Sequence, residues 1–500
     1  MASAASFSSG APAAQAHLPH VVIFPFMAKG HTIPLIHLAH LLRRRHLAIV
    51  TFFTTPGNAA FVRAALSSGA YGDDDGVAVV ELPFPDGVTA PGPPRGAESA
   101  EALDSLSSFP AFVEAASLLR PRFEEALAAA RPPATAVVAD ALLHWAHVAA
   151  AARGLPTLAF FAANVLAHVV RESCHRDNPA ATLAGGTGAA AYAVPEFPDV
   201  QLSLADIPFP FDDPDLTAMA SVREMDRKLG KAIAGSHGLI VNTFEAMERR
   251  YIEHWNRHVG PRAWPIGPLC LARPPPPPPP PASRHGGGAS SPAAWMRWLD
   301  EKAAAGRGVL YVALGTMVAV QGGQLSEVAG GLERSGLDFL WAVRPADADL
   351  GVGFEDRVRG RGVVVREWVD QWAVLWHGGV KGFRSHGGWN SVVESISAGV
   401  PLAVWPMSAE QPLNAKMVAD ELRVGIRVPA KDGVTGATVL VKSEEIARVA
   451  KELMSGEKGV EVARNMAALG AKAREAMEEG GSSWRAVEEM IAGLGRHQLA

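Results

Sequence analysis

Cysteine is nearly absent from this chain of 500 residues: only Cys174 and Cys270 occur. Two cysteines cannot build a disulfide framework, and their separation fits no metal-ligand spacing. They point to a reducing compartment, so a cytoplasmic protein is expected. Charge is sparse too. Charged residues make up 19% of the chain, below the roughly 25% of ordinary globular proteins. Lys and Arg number 46 against 51 Asp and Glu, a net charge of −5. That balance gives no electrostatic footprint for nucleic acid and no polybasic membrane patch. No stretch of about 18 unbroken apolar residues occurs, so no integral membrane segment is expected. The nearest approach, Ala134 to Val170, is broken by Asp140, His144, His147, Arg153 and Pro156. Residues 1–17 are rich in Ala and Ser and hold no Lys or Arg. They read as a disordered tail, not as a secretory signal or transit peptide. No N-x-S/T acceptor occurs. The chain also lacks G-x-G-x-x-G and G-x-S-x-G. Those gaps argue against a dinucleotide oxidoreductase and a serine hydrolase.

What is plentiful is apolar surface, 48% of residues, enough for sizeable cores in two large domains. The proline run Pro274–Pro281 and the Gly/Ser-rich stretch after it divide the chain, because polyproline is extended and joins neither helix nor sheet interior. It is either a spacer that sets domain geometry or a tolerated surface insertion. Both halves alternate short apolar strands with helices. In the first half the strands are His20–Phe26, Leu47–Phe53, Ala136–Ala139 and Leu239–Val241, with helices over Ile33–Leu42 and Leu142–Ala152. In the second they are Val309–Leu314, Phe339–Val343, Val363–Val365, Gly379–Phe383 and Leu402–Trp405, with a helix over Gln324–Ser335. The pattern implies an α/β protein with parallel sheets covered on both faces. The expected division is a domain over 18–265, a linker over 266–292, a second domain over 293–481, and a final helix over 482–500 that packs back on the first domain. In open parallel sheets ligands bind beyond the carboxyl ends of the strands. His31, Asp140, Thr316 and His386 all fall there.

The segment from Trp368 to Gln411, 44 residues counted inclusively, is the richest in chemistry. It holds five of the twelve tryptophans, Trp368, Trp372, Trp376, Trp389 and Trp405. It also holds a strand, the turn Ser385-His386-Gly387-Gly388-Trp389-Asn390-Ser391, and a helix carrying Glu394. Glycines let backbone approach phosphate oxygens, and a helix N-terminus offers free N–H groups and a positive dipole. His386 adds a donor, and Glu394 lies one turn on, within reach of ribose hydroxyls. An aromatic face such as Trp368 suits a base. Glu410 and Gln411 supply a carboxylate and an amide, which sugar hydroxyls pair with. No Lys follows the glycines, so the turn is not a Walker loop.

With Trp368, Gln371, His377, His386, Gly388, Trp389, Asn390, Ser391, Glu394, Gly399, Pro401, Pro406, Glu410 and Gln411 in this order and spacing, the block resembles the donor-binding signature of plant family 1 UDP-dependent glycosyltransferases. The resemblance runs over nearly the whole chain. It implies a GT-B fold, two Rossmann-like domains facing across a cleft, with a UDP-sugar as co-substrate and no metal or other cofactor. It implies that Trp368 stacks on uracil and that Val369 meets the base edge through its backbone. Gln371 and Glu394 would bind ribose. Thr316, His386, Asn390 and Ser391 would hold the diphosphate, with Gly388 in the same turn. Trp389, Glu410 and Gln411 would contact the sugar. The closing Gln411 implies glucose, and Trp389 a neutral hexose. Gly387, Asp370 and Val369 depart from the usual Cys, Pro and Ala. Asp370 raises the question of whether the loop carrying Gln371 keeps its place.

His31 is the candidate base. An acceptor hydroxyl must lose its proton as it attacks an anomeric carbon, and an imidazole with a pKa near ~6.5 suits that task. Among seventeen histidines, His31 stands out by its place after a strand and Gly30, at a helix start. Asp140 ends another strand and would orient the imidazole and stabilise its charged form, the pair that the family uses; alternatively it is a helix N-cap. The implied reaction is a single displacement with inversion, joining a hexose to a hydroxyl. Met27, Leu142, Phe161, Asn164 and Ser408 are the candidate acceptor wall, mostly apolar, as a flavonoid, another phenolic or a hormone would require. They are equally readable as ordinary core. A monomer is expected. The competing reading is a catalytically silent protein that binds a nucleotide sugar or small molecule.

Overall fold

The computed structural model describes residues 18–67, 76–85, 96–103, 106–185, 191–215, 217, 219–273, 294–315, 322–344 and 350–496. The polyproline run and Thr316 lie outside them. In chain order the strands of the first half are β1 (His20–Phe24), β2 (Ile49–Thr54), β3 (Ala78–Glu81), β4 (Ala136–Asp140), β5 (Thr157–Phe160), β6 (Tyr192–Val194), β7 (Phe197–Leu202), β8 (Gly238–Val241) and β9 (Ala263–Pro265). Those of the second half are β10 (Val309–Ala313), β11 (Asp338–Ala342), β12 (Gly362–Val365), β13 (Val380–Ser385), β14 (Leu402–Val404) and β15 (Gly425–Arg427).

Two parallel sheets result. One runs β3-β2-β1-β4-β5-β8-β9 and the other β12-β11-β10-β13-β14-β15. β6 and β7 form a separate antiparallel hairpin. β1 is apolar after His20 because both its faces are covered: Val22 and Phe24 enter one core while Val21 and Ile23 enter the core on the opposite face, as a doubly covered strand requires. The two-domain α/β GT-B expectation is met.

Several boundaries move. The helix read over 33–42 spans Lys29–Arg44, so His31, expected at a helix start, lies inside its first turn. β3, β5, β9 and β15 were not separable in sequence. They are three or four residues long, and Pro265 ends β9, the edge strand of its sheet. Past β9 the chain stays buried as it enters the expected linker. Ile266 and Leu269 are fully buried, Cys270 nearly so, and Leu269–Ala272 form a short 3-10 helix. The C-terminal helix Ser482–Arg496 puts Val487, Met490, Ile491 and Leu494 in the core on one face of the first sheet. Ser483 Oγ donates to Gly267 O at 2.5 Å. Arg45 pairs with Glu488 at 2.7 Å and Arg262 with Glu489 at 2.6 Å. Among the described residues, no helix is long and apolar enough to cross a membrane.

Candidate active site

Each sheet reverses its strand order beside its first strand. β1 lies between β2 and β4, and β10 between β11 and β13. Crossovers leave in opposite directions at those points, which opens a crevice past the carboxyl ends of β1/β4 and of β10/β13. The candidate residues gather at these two crevices.

In the first, His31 Nδ1 lies 2.6 Å from Asp140 Oδ2. Asp140 is fully buried at the end of β4. Its other oxygen accepts the Leu142 N–H at 3.0 Å, which fixes the carboxylate plane. The helix that follows starts at His144 without a side-chain cap, so Asp140 orients His31 and does not cap that helix. Phe26 and Phe161 set their rings edge-on to the imidazole, each with centroids 5.8 Å away. Burial alone would lower the His31 pKa. The Asp140 carboxylate, with smaller help from Glu410 and Glu101, overrides it, and the net shift is upward. With Nδ1 held by Asp140, Nε2 is the nitrogen left for a substrate proton.

In the second crevice β13 leads into His386 and then the helix Trp389–Ala398, whose first turn no side chain caps. A Cβ on Gly315 (φ +85°) would come within 3.0 Å of the His386 ring, and one on Gly388 within 2.5 Å. Both glycines are therefore needed to seat the imidazole. Burial lowers the His386 pKa to about 4, so the ring is neutral and offers one N–H; among the described residues its Nδ1 has no partner. Gly387 (φ +79°), where the family pattern carries Cys, would put a Cβ 2.5 Å from Val404. Gln371 Nε2 donates to Glu394 Oε2 at 2.7 Å and to Ser391 Oγ at 3.0 Å, so these three meet. Burial pushes the Glu394 carboxyl up to about 7, against the pull of Gln371. Asp370 caps the helix Gln371–Leu375 and pairs with Arg273 through two bonds of 2.9 and 2.5 Å. The departure from Pro thus anchors the loop that carries Gln371. Trp368 is 57% exposed, while Val369 is buried.

Two expected sugar contacts look different in three dimensions. Trp389 is 1% exposed and its Nε1 donates to Asn242 O at 2.8 Å. Its indole is closed inside the domain interface, and only its backbone borders the turn. Gln411 Oε1 accepts the Met407 and Ser408 N–H groups at 2.9 and 3.1 Å, which leaves its –NH2 end. Glu410 accepts Asn414 Nδ2 at 3.2 Å, and burial raises its pKa while His31 pulls it down. Of the acceptor candidates, Met27, Leu142 and Asn164 are almost wholly buried in core. Asn164 caps the helix Val165–Asp177. Phe161 flanks His31, and the Ser408 backbone holds Gln411.

The halves touch directly. Asn390 Nδ2 donates to Gly30 O at 2.5 Å, one residue before His31. Asn164 Nδ2 donates to Asn414 Oδ1 at 2.8 Å. Lys29 Nζ lies 4.0 Å from the centroid of Trp368. Glu101 accepts the Lys29 N–H at 2.7 Å, satisfying the first turn of the helix that carries His31. Lys29, Glu101, Asn242, Arg273 and Asn414 were not singled out from sequence.

Residues 288–438 match the family model described as UDP-glucoronosyl and UDP-glucosyl transferase. UDP-glycosyltransferase 90A1 of Arabidopsis thaliana is 40% identical, covering 96% of this chain and 97% of its own. Anthocyanin 3'-O-beta-glucosyltransferase of Gentiana triflora is 33% identical over 95% and 98%. Among solved structures, UGT73P12 of Glycyrrhiza uralensis, complexed with glycyrrhetinic acid 3-O-monoglucuronide, superposes with a TM-score of 0.80 at 26% identity, covering 97% of each chain. UGT2 of Phytolacca americana, complexed with UDP-2fluoro-glucose and pterostilbene, gives 0.73 at 27% identity over 96% and 100%. With identity of this order along both chains nearly end to end, and the donor signature folded at the switch point of the second sheet, the chain belongs to the plant family 1 UDP-dependent glycosyltransferases and is a hexosyltransferase enzyme.

Proposed function

We propose that this enzyme transfers glucose from UDP-glucose, with inversion and without a metal, to a hydroxyl of a small hydrophobic acceptor such as a flavonoid, another phenolic or a hydroxylated hormone. The observation that carries the reading is the His31–Asp140 pair set against the His386–Ser391 turn, joined by the Asn390–Gly30 contact. The acceptor oxygen attacks the anomeric carbon as its proton passes to His31 Nε2. The bond from that carbon to the β-phosphate oxygen breaks, and UDP leaves. Asp140 stabilises the imidazolium that forms. One displacement inverts the anomeric centre.

Trp368 stacks on uracil in this reading, and the Val369 backbone meets its edge. Gln371 and Glu394 take the ribose. His386, Asn390, Ser391 and Thr316, with Gly388 and the helix N-terminus, take the diphosphate, where the leaving charge develops. Glu410, the –NH2 of Gln411 and the backbone at Trp389 take the sugar. Phe161 lines the acceptor side. Relatives named for anthocyanin, flavonoid and scopoletin glucosylation support a flat aromatic acceptor.

The test incubates protein and UDP-glucose with pooled phenolics and plant hormones, with mass spectrometry as the readout. A hexose added by wild type and lost in His31→Ala is the expected result. UDP binding without any product would sink it. Activity retained in excess EDTA checks the metal-independent step, and its loss would overturn that part.

A further inference from the structure

We infer that Asn414 is a positioning residue, one that sets the sugar-facing carboxylate and the diphosphate turn and ties both to the acceptor domain; this rests on the function proposed above. Its side chain is fully buried, and it makes three hydrogen bonds. Nδ2 donates to Gly387 O at 2.8 Å and to Glu410 Oε1 at 3.2 Å. Oδ1 accepts Asn164 Nδ2 at 2.8 Å. With both protons and one lone pair engaged, the amide has a single orientation.

Each partner belongs to a different part of the reaction. Gly387 lies within the turn that runs from His386 to Ser391, in a left-handed conformation (φ +79°) that a side chain would not adopt freely. Glu410 carries the carboxylate assigned to the sugar, close enough to His31 for each to shift the other's pKa. Asn164 belongs to the other domain, where its Oδ1 accepts the Ala167 N–H at 2.7 Å as a helix cap. That same helix start is held from behind by Glu248, whose Oε1 accepts the Val165 and Leu166 N–H groups at 2.9 and 3.1 Å. The bonds that Asn414 makes to Gly387, Glu410 and Asn164 are all met only in one relative placement of these groups. Moving the acceptor domain against the donor turn breaks the Asn164–Asn414 bond and frees the amide that aims Glu410. Sugar binding and domain position are therefore coupled through one side chain that touches neither substrate.

Asn414→Asp tests it. The variant is isosteric and keeps the acceptor for Asn164, but loses both donors. The expected result is a KM for UDP-glucose raised about tenfold or more, the scale of one hydrogen bond to a charged group, with the acceptor KM little changed. A double-mutant cycle with Glu410→Ala separates positioning from mere structure. In the Glu410→Ala background, Asn414→Asp should add much less than it does alone. Penalties that simply multiply, or an unchanged donor KM, would overturn the inference. If Asn414→Asp does not fold, Asn164→Ser carries the test. It keeps a capping hydroxyl and removes the amide that crosses the interface to Asn414 Oδ1 and, at 4.0 Å, to Met417 Sδ, so donor KM should rise severalfold, and an unchanged value overturns the inference. A wild type that binds no UDP-glucose would overturn the proposed function along with it. A wild type that turns over while the variants match it would overturn this inference alone.

Discussion

At the scale of the residue, the His31–Asp140 pair makes the sharpest claim. The carboxylate raises the imidazole pKa, and a general base acts in its neutral form. Rate therefore rises with pH through the folded pKa, and the acid limb of kcat/KM should lie above the ordinary ~6.5 of histidine. Asp140→Asn should move that limb down and slow the reaction; His31→Ala should cost about 10²–10⁴-fold. A limb that stays put in Asp140→Asn would contradict the pairing. A second titration concerns stability. Glu248 is buried where the chain kinks (φ −128°, ψ 22°), and burial pushes its carboxyl up to about 7. A folded pKa above the unfolded value gives stability that is fully present below the unfolded pKa of about 4.5 and is lost as pH rises through about 7. Glu248→Gln keeps an acceptor for the helix N-terminus without that loss. Its melting temperature should gain on wild type between those pH values and then level off, by the equivalent of about 3 kcal/mol at most. A constant difference across pH would refute it.

At the scale of the element, the C-terminal helix shows how a short amphipathic segment holds two domains together. Its apolar face enters the first domain's core while the helix Glu457–Met477 before it packs on Trp389–Ala398 of the second. Met490 is 1% exposed. Met490→Ala should cost about 2–5 kcal/mol, the range for a buried large-to-small change; denaturant midpoints at unchanged slope would measure it. Loss of less than ~0.5 kcal/mol, the scale of a surface substitution, would mean the helix is not part of the fold's core. Elements also differ in how much of them the sequence exposes. β1 and β10 are apolar runs bounded by turn residues and could be read directly. β15 is Gly-Ile-Arg, and its identity as a strand depends wholly on its pairing with β14. The first turn of the helix at Lys29 was hidden for a similar reason. Its leading N–H is satisfied by Glu101, 72 residues away, so no local cap announces it.

At the scale of the molecule, the bonds from Asn390 to Gly30, from Trp389 to Asn242 and from Asn164 to Asn414 cross the interface beside the donor site. UDP should therefore stabilise both domains together, raising stability by about 2.7 kcal/mol at a hundredfold excess over Kd. A single shifted thermal transition is expected, and two separate transitions with only one moving would refute it. By itself the sequence determined the alternation of strands and helices, the absence of a dinucleotide fingerprint and the ordered block from Trp368 to Gln411. Those features are local, set by periodicity, turn chemistry and spacing along one segment. Tertiary structure decided the rest. It brought His31 to Asp140 across 109 residues, closed the Trp389 indole into the interface and turned half of Gln411 inward. It also joined Asn164 to Asn414 across 250. Such pairings depend on which strands are neighbours and how two sheets face each other, and no spacing in the chain encodes that, because buried polar groups take whichever partner the packed fold brings within 3 Å.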